Sequence, residues 1–146
     1  MSDYINFKDI ILVDDDPGCH FIFGRFLDKI GVQCGKKSFY SGRQILEYME
    51  SEELQGSGDE QSPILVLLDL NMPDMDGWEF LEIFSELNFT LRKKYIVVIL
   101  TSSISQIDKN KGLSYQVVSG YYNKPFNGEG LLEILEDCKN HLNTLC

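Results

Sequence analysis

The sequence is most informative at Ile64-Leu-Val-Leu-Leu-Asp69, where five apolar residues run straight into a carboxylate. Two similar runs lie on either side of it, Asp9-Ile-Ile-Leu-Val-Asp14 and Tyr95-Ile-Val-Val-Ile-Leu100. Short unbroken runs of Ile, Val and Leu are typical of strands that are covered on both faces. The three runs therefore predict the centre of a parallel sheet, and weaker strand candidates at 33–39 and 116–122 predict its edges.

Between these runs, the apolar residues take the three- and four-residue spacing of amphipathic helices. Three such stripes are Phe23, Phe26, Leu27 and Ile30; Phe80, Leu81, Phe84 and Leu87; and Leu131, Ile134, Leu135 and Cys138. Ser41 and Asn127 stand where an N-cap would begin the second and the last helix. We interpret the acidic segment 47–60 as a solvated loop after the second helix.

A weaker helix is predicted over 103–112, because only Ile104 and Ile107 lie on its apolar face. Five strand–helix pairs then alternate along the chain. This alternation predicts an α/β fold in which a doubly wound, five-stranded parallel sheet carries helices on both faces through right-handed crossovers. We expect the flavodoxin-like strand order 2-1-3-4-5, in which ligands bind beyond the carboxyl ends of the strands.

Length and charge limit the possible partners. A chain of 146 residues that is 43% apolar predicts one domain over 1–146. Its net charge of −10 repels nucleic-acid phosphates and anionic lipids, and its apolar runs are far shorter than the roughly twenty residues of a membrane span. The N-terminus lacks the pattern of a secretory signal, and the cysteines lack redox-pair or zinc-ligand spacing. We expect a cytoplasmic protein that binds neither nucleic acid nor membrane.

Carboxylates follow two of the predicted central strands. Asp14, Asp15 and Asp16 come directly after the first strand, and Asp69 comes directly after the third. Neighbouring ends of parallel strands lie about 5 Å apart, so these side chains are expected to converge. Hard oxygen ligands with water in the remaining positions suit Mg²⁺ or Mn²⁺ better than Zn²⁺.

A hydroxyl and an ammonium are expected at the same edge of the sheet. Thr101 follows the fourth strand, and Lys124 follows the fifth. Each feature alone has an ordinary explanation, since acidic turns are usually solvated, hydroxyls cap helices and most lysines lie in solvent. Together, the carboxylates, the hydroxyl and the ammonium form a cluster that is equipped to receive a phosphoryl group.

Four segments, in this order, resemble the signature segments of response-regulator receiver domains from two-component signalling. They are Val13-Asp-Asp-Asp-Pro17, Leu67-Leu-Asp-Leu-Asn-Met-Pro-Asp-Met-Asp-Gly77, Leu100-Thr-Ser102 and Asn123-Lys-Pro-Phe126. The segment around Asp69 is specific on its own, whereas the Thr101 segment gains meaning from the ordered set. The match covers nearly the whole chain with similar spacings, and it implies the fold predicted above.

The resemblance assigns the carboxylates by position. Asp69 matches the aspartate that is phosphorylated in receiver domains. Asp14 and Asp15 match the acidic pair that binds Mg²⁺ together with Asp69. Asn71 would contribute its backbone carbonyl to the same ion, and Mn²⁺ is a possible replacement.

The resemblance also implies how the phosphoryl group is sensed. Thr101 matches the hydroxyl residue that hydrogen-bonds the phosphoryl group, and Lys124 matches the lysine that pairs with it. Tyr121 occupies the aromatic switch position that responds to movement of Thr101. A cis peptide bond is expected before Pro125, and Gly77 is expected to supply positive φ in the turn before the third helix.

A receiver domain of this kind implies a signalling domain and not an enzyme. It would take its phosphoryl group from a phosphohistidine on a histidine kinase or a histidine phosphotransfer protein. Only twenty-one residues follow Pro125, which is enough for the last helix. We therefore expect a stand-alone receiver, monomeric or weakly homodimeric, that relays the phosphoryl group or binds a downstream protein through the fourth helix, fifth strand and fifth helix.

Two other readings use the same residues. A pseudo-receiver scaffold would need no phosphorylation, and the intact set of Asp69, Thr101 and Lys124 argues against it. A phosphatase of the haloacid-dehalogenase type would need a second aspartate where this sequence has Asn71. Two features depart from the usual receiver: the connection after the second helix is longer, and the lifetime-setting positions hold Asn71 and Ser103.

Overall fold

The computed structural model describes residues 7–55, 62–125 and 127–145, with side chains up to residue 140. These residues form one parallel sheet in the order β2-β1-β3-β4-β5, which confirms the predicted fold class and strand order. The strands are β1 (Asp9–Val13), β2 (Gly35–Phe39), β3 (Ile64–Leu68), β4 (Tyr95–Thr101) and β5 (Val118–Asn123). The helices are α1 (Pro17–Ile30), α2 (Gly42–Leu54), α3 (Gly77–Ser85), α4 (Phe89–Arg92), α5 (Gln106–Ser114) and α6 (Gly128–Leu145).

The register of the sheet aligns the carboxyl ends of the central strands. Val13 of β1 is paired with Leu68 of β3, and Leu68 is paired with Ile99 of β4. The hydrogen bonding between β1 and β3 continues one residue beyond the end of β3, because the Asp69 N–H donates to the Val13 carbonyl at 2.9 Å. The residues that follow β1, β3 and β4 therefore emerge side by side at one edge.

Two apolar cores lie on opposite faces of the sheet, and this explains why β1, β3 and β4 are apolar without interruption. Alternate strand residues pack against α1 and α6 on one face, where Phe23, Leu27 and Leu131 are buried. The others pack against α2 and α3 on the second face, where Ile45 and Phe80 are fully buried. Every residue of these three strands is buried. None of the helices in the described ranges is long and apolar enough to cross a membrane.

Polar side chains cap the predicted helices where the sequence places them. The Ser41 hydroxyl accepts the Gln44 N–H at the start of α2, and the Asn127 side chain accepts the Gly130 N–H at the start of α6. The prediction of a loop over 47–60 was wrong in its first part, because α2 continues to Leu54. Residues 56–61 of that segment lie outside the described residues.

Helix α5 is attached to the fold differently from the other long helices. Ile104 and Ile107, the two residues predicted to form its sparse apolar face, are 94% and 79% exposed, so the helix is weakly anchored, as the sequence predicted. Gly112 is the residue of α5 that is buried. Its backbone lies against Ile99 of β4 and the ring of Tyr121 on β5. The helix is therefore held by a close backbone approach and not by an apolar stripe.

Two polar contacts join the carboxyl-terminal end of α5 to α3. The Lys111 ammonium lies 4.2 Å from the centre of the Trp78 ring, and the Tyr115 hydroxyl donates to Glu82 at 2.7 Å. Contacts of this kind between exposed groups are individually weak. Compared with the helices that carry a buried stripe, α5 is thus expected to move at low energetic cost.

The close approach at Gly112 makes a stability prediction. An added Cβ would lie 2.7 Å from Ile99 Cδ1 and 3.0 Å from the Tyr121 ring, so Gly112→Ala should lower the free energy of unfolding by about 1–3 kcal/mol through overpacking. Denaturant unfolding measures the change. Gly24→Ala in α1 is the matched control, since nothing lies within 4 Å of its Cβ position, and helix propensity should make it neutral or stabilising. Equal behaviour of the two variants would contradict the packing argument.

Candidate functional site

Three predicted site residues meet at the carboxyl edge of the sheet. Asp14, Asp69 and Thr101 are 1%, 4% and 0% exposed, although all three are polar. Lys124 follows β5 at the sheet edge, and its Nζ lies 2.6 Å from Asp14 Oδ2 and 3.5 Å from Asp69 Oδ1. The ammonium thus reaches over β4 and β3 to the end of β1. The structure brings together side chains that are 110 residues apart in the sequence.

The acidic residues form a group that fits a hard divalent cation. Asp14, Asp15 and Asp69 each offer a carboxylate oxygen, and these oxygens lie within 4.8 Å of one another. Asp15 is exposed, so the group opens to solvent on one side. The second Asp14 oxygen accepts the Asp16 N–H at 2.9 Å, which fixes the orientation of that carboxylate. An all-oxygen donor set that is open to water matches the coordination preference of Mg²⁺.

The charges at this edge are unevenly compensated. Burial by itself raises the pKa of Asp14, but the bonds from Lys124 and the Asp16 N–H more than offset it, so this pKa is lowered. The pKa of Asp69 is raised to about 6, first by burial and second by the neighbouring Asp14 charge, although Lys124 opposes the rise. Burial opposes the charge of Lys124, yet its two carboxylate partners raise its pKa. Lys124 therefore pairs mainly with Asp14, and Asp69 carries the uncompensated charge.

Asn71 and Gly77 shape the turn that holds Asp69. The Asn71 backbone faces the Asp69 carboxylate and helps to lower its pKa. A Cβ at Gly77 would lie 2.5 Å from the Asp69 carbonyl oxygen, so the start of α3 sits directly against this turn. The expectation of positive φ at Gly77 was wrong, because Gly31 is the residue with positive φ within the described ranges. Space, and not backbone conformation, excludes a side chain at Gly77.

Tyr121 lies half-buried on β5, and its ring contacts Gly112 of α5. Its hydroxyl is buried and makes no hydrogen bond of good geometry within the described residues, although the Ser103 side chain is near enough to lower its pKa. The ring thus occupies the space between β4 and α5 next to the Thr101 strand. The expected cis bond before Pro125 was wrong: the Lys124–Pro125 bond is trans, which is the lower-energy isomer.

Several residues around the site were not identified from the sequence. His20 Nε2 lies 2.7 Å from the Asp14 carbonyl oxygen, and its ring packs on Tyr40. The Asn123 side chain donates to the Ser103 carbonyl at 2.7 Å. His20 belongs to none of the signature segments, and the resemblance assigned Asn123 no role of its own, although it is the first residue of the Lys124 segment. Their roles depend on which elements meet in space.

A cavity of about 350 Å³ lies beside the site, between α1 and the loop after β5. Its walls include Cys19, Ile22 and Phe26 of α1, and Lys124 lies at its edge. Burial and the nearby Asp14 carboxylate raise the pKa of the Cys19 thiol to about 12, so it stays protonated at neutral pH. Ile22, in the wall of this cavity, is 52% exposed and presents apolar surface to solvent.

The uncompensated charge of Asp69 makes a pH prediction. When the pKa of a carboxylate is higher in the folded than in the unfolded protein, its ionisation destabilises the folded protein. The destabilisation is complete above the folded-state pKa and absent at pH values below the ordinary pKa of 3.8. In metal-free buffer at pH 7.5, Asp69→Asn should therefore raise the free energy of unfolding by about 1–3 kcal/mol. The gain should shrink between pH 6 and pH 4, as denaturant titrations with EDTA would show.

Mg²⁺ should narrow the difference between the wild type and Asp69→Asn, because it offsets the same charge. Asp15→Asn is the control, because Asp15 belongs to the same acidic group but is exposed. It should change the free energy of unfolding less than Asp69→Asn does. Equal stability of the wild type and Asp69→Asn at pH 7.5 would contradict the charge distribution described here.

Known proteins resemble this chain in sequence and in fold. The family model described as Response regulator receiver domain matches residues 10–136. The probable methanogenesis regulatory protein FilR2 from Methanothrix harundinacea (strain 6Ac) is 32% identical over 133 residues, which cover 90% of this chain and 81% of FilR2. Two other curated relatives are longer, and the chain spans 24% and 49% of their lengths.

Solved structures show the same fold. A two-component response regulator from Cytophaga hutchinsonii has a TM-score of 0.74 at 27% identity, over 92% of this chain and 96% of that one. The phosphorylated cyanobacterial phytochrome response regulator RcpA has a TM-score of 0.71 at 25% identity, over 96% of both chains. Both are similar to this chain along most of its length. The chain therefore belongs to the response-regulator receiver domain family of two-component systems.

Proposed function

We propose that Asp69 accepts a phosphoryl group from a phosphohistidine on a histidine kinase or a histidine phosphotransfer protein. Phosphoryl acceptance is the general function of receiver domains. The observation that carries the proposal for this chain is the position of Asp69, a buried carboxylate with Asp14 on one side and the Lys124 ammonium 3.5 Å away. A buried carboxylate with a purely structural role is expected to have its charge fully paired, whereas the charge of Asp69 is paired only in part.

Asp14, Asp15, Asp69 and the backbone carbonyl of Asn71 would hold Mg²⁺, for which Mn²⁺ is a possible substitute. When bound, the ion supplies positive charge that offsets the repulsion between Asp69 and the phosphoryl oxygens. The buried Asp14 is held in place by Lys124 and the Asp16 N–H, so this part of the metal site is rigid before any ion binds. A preorganised ligand costs little reorganisation on binding.

The residues of this chain perform the transfer by position and charge. An Asp69 carboxylate oxygen attacks the phosphorus in line, its bond to phosphorus forms, and the bond between phosphorus and the histidine nitrogen breaks. The histidine nitrogen keeps the electron pair and takes a proton from solvent. Lys124 stabilises negative charge on the phosphoryl oxygens, and it stays anchored to Asp14 while doing so.

Reset follows from the same chemistry. Water attacks the phosphorus, the bond to Asp69 breaks, and inorganic phosphate and the Asp69 carboxylate are released. The domain thus assists its own phosphorylation and dephosphorylation and does not turn over an external substrate. We therefore propose a signalling role and no separate enzymatic activity.

The donor would approach over the exposed apolar surface of α1 at Ile22, because Ile22 and Lys124 line the same cavity. The downstream protein would bind to a different face of the domain. Thr101 would hydrogen-bond the phosphoryl group, and Tyr121 would move in response, which alters the face formed by α5, β5 and α6. Ile104 and Ile107 are exposed on that face and are suited to contact a downstream protein.

The central assignment predicts the outcome of a labelling experiment. Incubation with acetyl phosphate and Mg²⁺ should add one base-labile phosphoryl group to the wild type, and Asp69→Ala should abolish it, as intact-mass spectrometry would show. Asp74→Ala is the matched control, because Asp74 lies in the same loop but is exposed and paired with Arg43. Labelling that persists in Asp69→Ala would remove Asp69 as the acceptor.

If Tyr121 acts as the switch, its removal should leave ligand binding at the acidic group intact and abolish the response of α5 to that ligand. Tyr121→Ala should still bind beryllofluoride with Mg²⁺, since Tyr121 does not contribute to the acidic group. The change that beryllofluoride causes in hydrogen exchange of α5 should be largely lost. Tyr122→Phe is the control on the opposite face of the sheet, where the Tyr122 ring packs with α1 and α6. A full α5 response in Tyr121→Ala would argue against the switch.

A further inference from the structure

The loop between β4 and α5, residues 102–105, is held by hydrogen bonds and not by packing. Ser102, Ile104 and Ser105 are exposed, and Ser103 is half-buried. Ile104, the large apolar residue of the loop, points to solvent at 94% exposure. The position of the loop therefore depends on its polar contacts, and these determine the free-energy cost of moving it.

One of the two shortest of these contacts joins Ser103 to Asp108 in the first turn of α5. Ser103 Oγ donates to Asp108 Oδ2 at 2.7 Å, in a partly buried position. Ser103 Oγ also accepts the Ser105 N–H at 3.2 Å. A hydrogen bond to a carboxylate is stronger than one between neutral groups. Among the hydrogen bonds that this loop makes within the described residues, the Ser103–Asp108 bond is the one whose acceptor is a charged carboxylate.

The same serine is bonded to the residue that would contact the phosphoryl group. The Ser103 N–H donates to Thr101 Oγ1 at 3.1 Å. The Asn123 side chain, one residue before Lys124, donates to the Ser103 carbonyl and, at 3.3 Å, to the Thr101 carbonyl. Movement of the Thr101 hydroxyl toward Asp69 must therefore disturb the bonds of Ser103.

Asp108 also lies near the residue at the switch position. Burial raises the pKa of the Tyr121 phenol, an interaction with the Ser103 side chain lowers it, and the Asp108 charge raises it. The Tyr121 hydroxyl itself is buried. One carboxylate on α5 thus contacts Ser103 directly and influences Tyr121.

We propose that Asp108 is a positioning residue that holds the β4–α5 loop in its unphosphorylated arrangement by accepting the Ser103 hydroxyl, and so opposes the response to a phosphoryl group at Asp69. The inference rests on the proposed function of Asp69 and Thr101. Asp108 touches neither Asp69 nor the acidic group, so it acts through the loop. Breaking the Ser103–Asp108 bond costs free energy, and this cost reduces the net free energy gained when a phosphoryl group interacts with Thr101.

The test is the affinity for beryllofluoride, an analogue of the phosphoryl group, in saturating Mg²⁺. Removing a bond that exists in the unliganded arrangement lowers the cost of the change, so Asp108→Ala should bind beryllofluoride about five- to ten-fold more tightly. Ser103→Ala should show a similar gain. Since both variants remove the same bond, the double variant should bind no more tightly than either single variant.

Asp108→Asn is the conservative control. Its amide oxygen still accepts the Ser103 hydroxyl, so its affinity should stay within about two-fold of the wild type. The free energy of unfolding without ligand is the second readout. Asp108 lies in the first turn of α5, where a negative charge stabilises the helix, so Asp108→Ala should lower the free energy of unfolding. That loss by itself would not tighten beryllofluoride binding.

The outcomes separate this inference from the function on which it rests. If the wild type binds no beryllofluoride, the proposed role of Asp69 fails. If the wild type binds it and Asp108→Ala binds it equally well or more weakly, the role of Asp108 fails alone. Additive gains in the double variant would also overturn it, because they would show that Ser103 and Asp108 act separately.

Discussion

The ion pair between Lys124 and Asp14 is the interaction on which the site depends. It joins the end of β5 to the end of β1 at 2.6 Å, although β3 and β4 lie between them. Because Lys124 is committed to the buried Asp14, it balances Asp69 only in part. The site therefore has a fixed cation and an excess of negative charge. This combination suits a carboxylate that takes up a divalent ion and then a phosphoryl group.

The rest of the fold divides into a rigid part and a responsive part. The three central strands are buried on both faces and hold Asp14, Asp69 and Thr101 in place. Helix α5 lacks a buried stripe and is attached through Gly112, through contacts with α3 and through the Ser103–Asp108 bond. The phosphoryl transfer proposed at Asp69 needs the rigid part, and the signal proposed at the α5 surface needs the responsive part. Thr101 lies at the boundary, since it ends β4 and begins the loop that leads to α5.

Sequence reasoning predicted the elements whose signals are local. The apolar runs identified the buried strands, the spacing of Phe23 and Leu27 identified a packed helix, and Ser41 marked a helix start. It failed where a local pattern had more than one tertiary outcome. The acids after Ile45 were predicted to lie in a loop, but those up to Glu53 belong to α2 because buried residues anchor that helix. At Gly77, a steric contact with the Asp69 turn replaced the expected backbone requirement.

By itself, the sequence determined the buried strands and the packed helices, the chemical types at each strand end and the order of the four signature segments, because the periodicity of apolar residues and the residues that end each run can be read along the chain. The strand order 2-1-3-4-5 was expected from the α/β fold class, and the hydrogen bonds of the sheet confirm it. Only the tertiary structure decided how charge is shared among Asp14, Asp69 and Lys124, and which side chains hold Thr101 and the loop after it. Those properties depend on distances between residues that are far apart in the chain. Electrostatic energies and hydrogen bonds change with fractions of an ångström, and no spacing along a sequence specifies them.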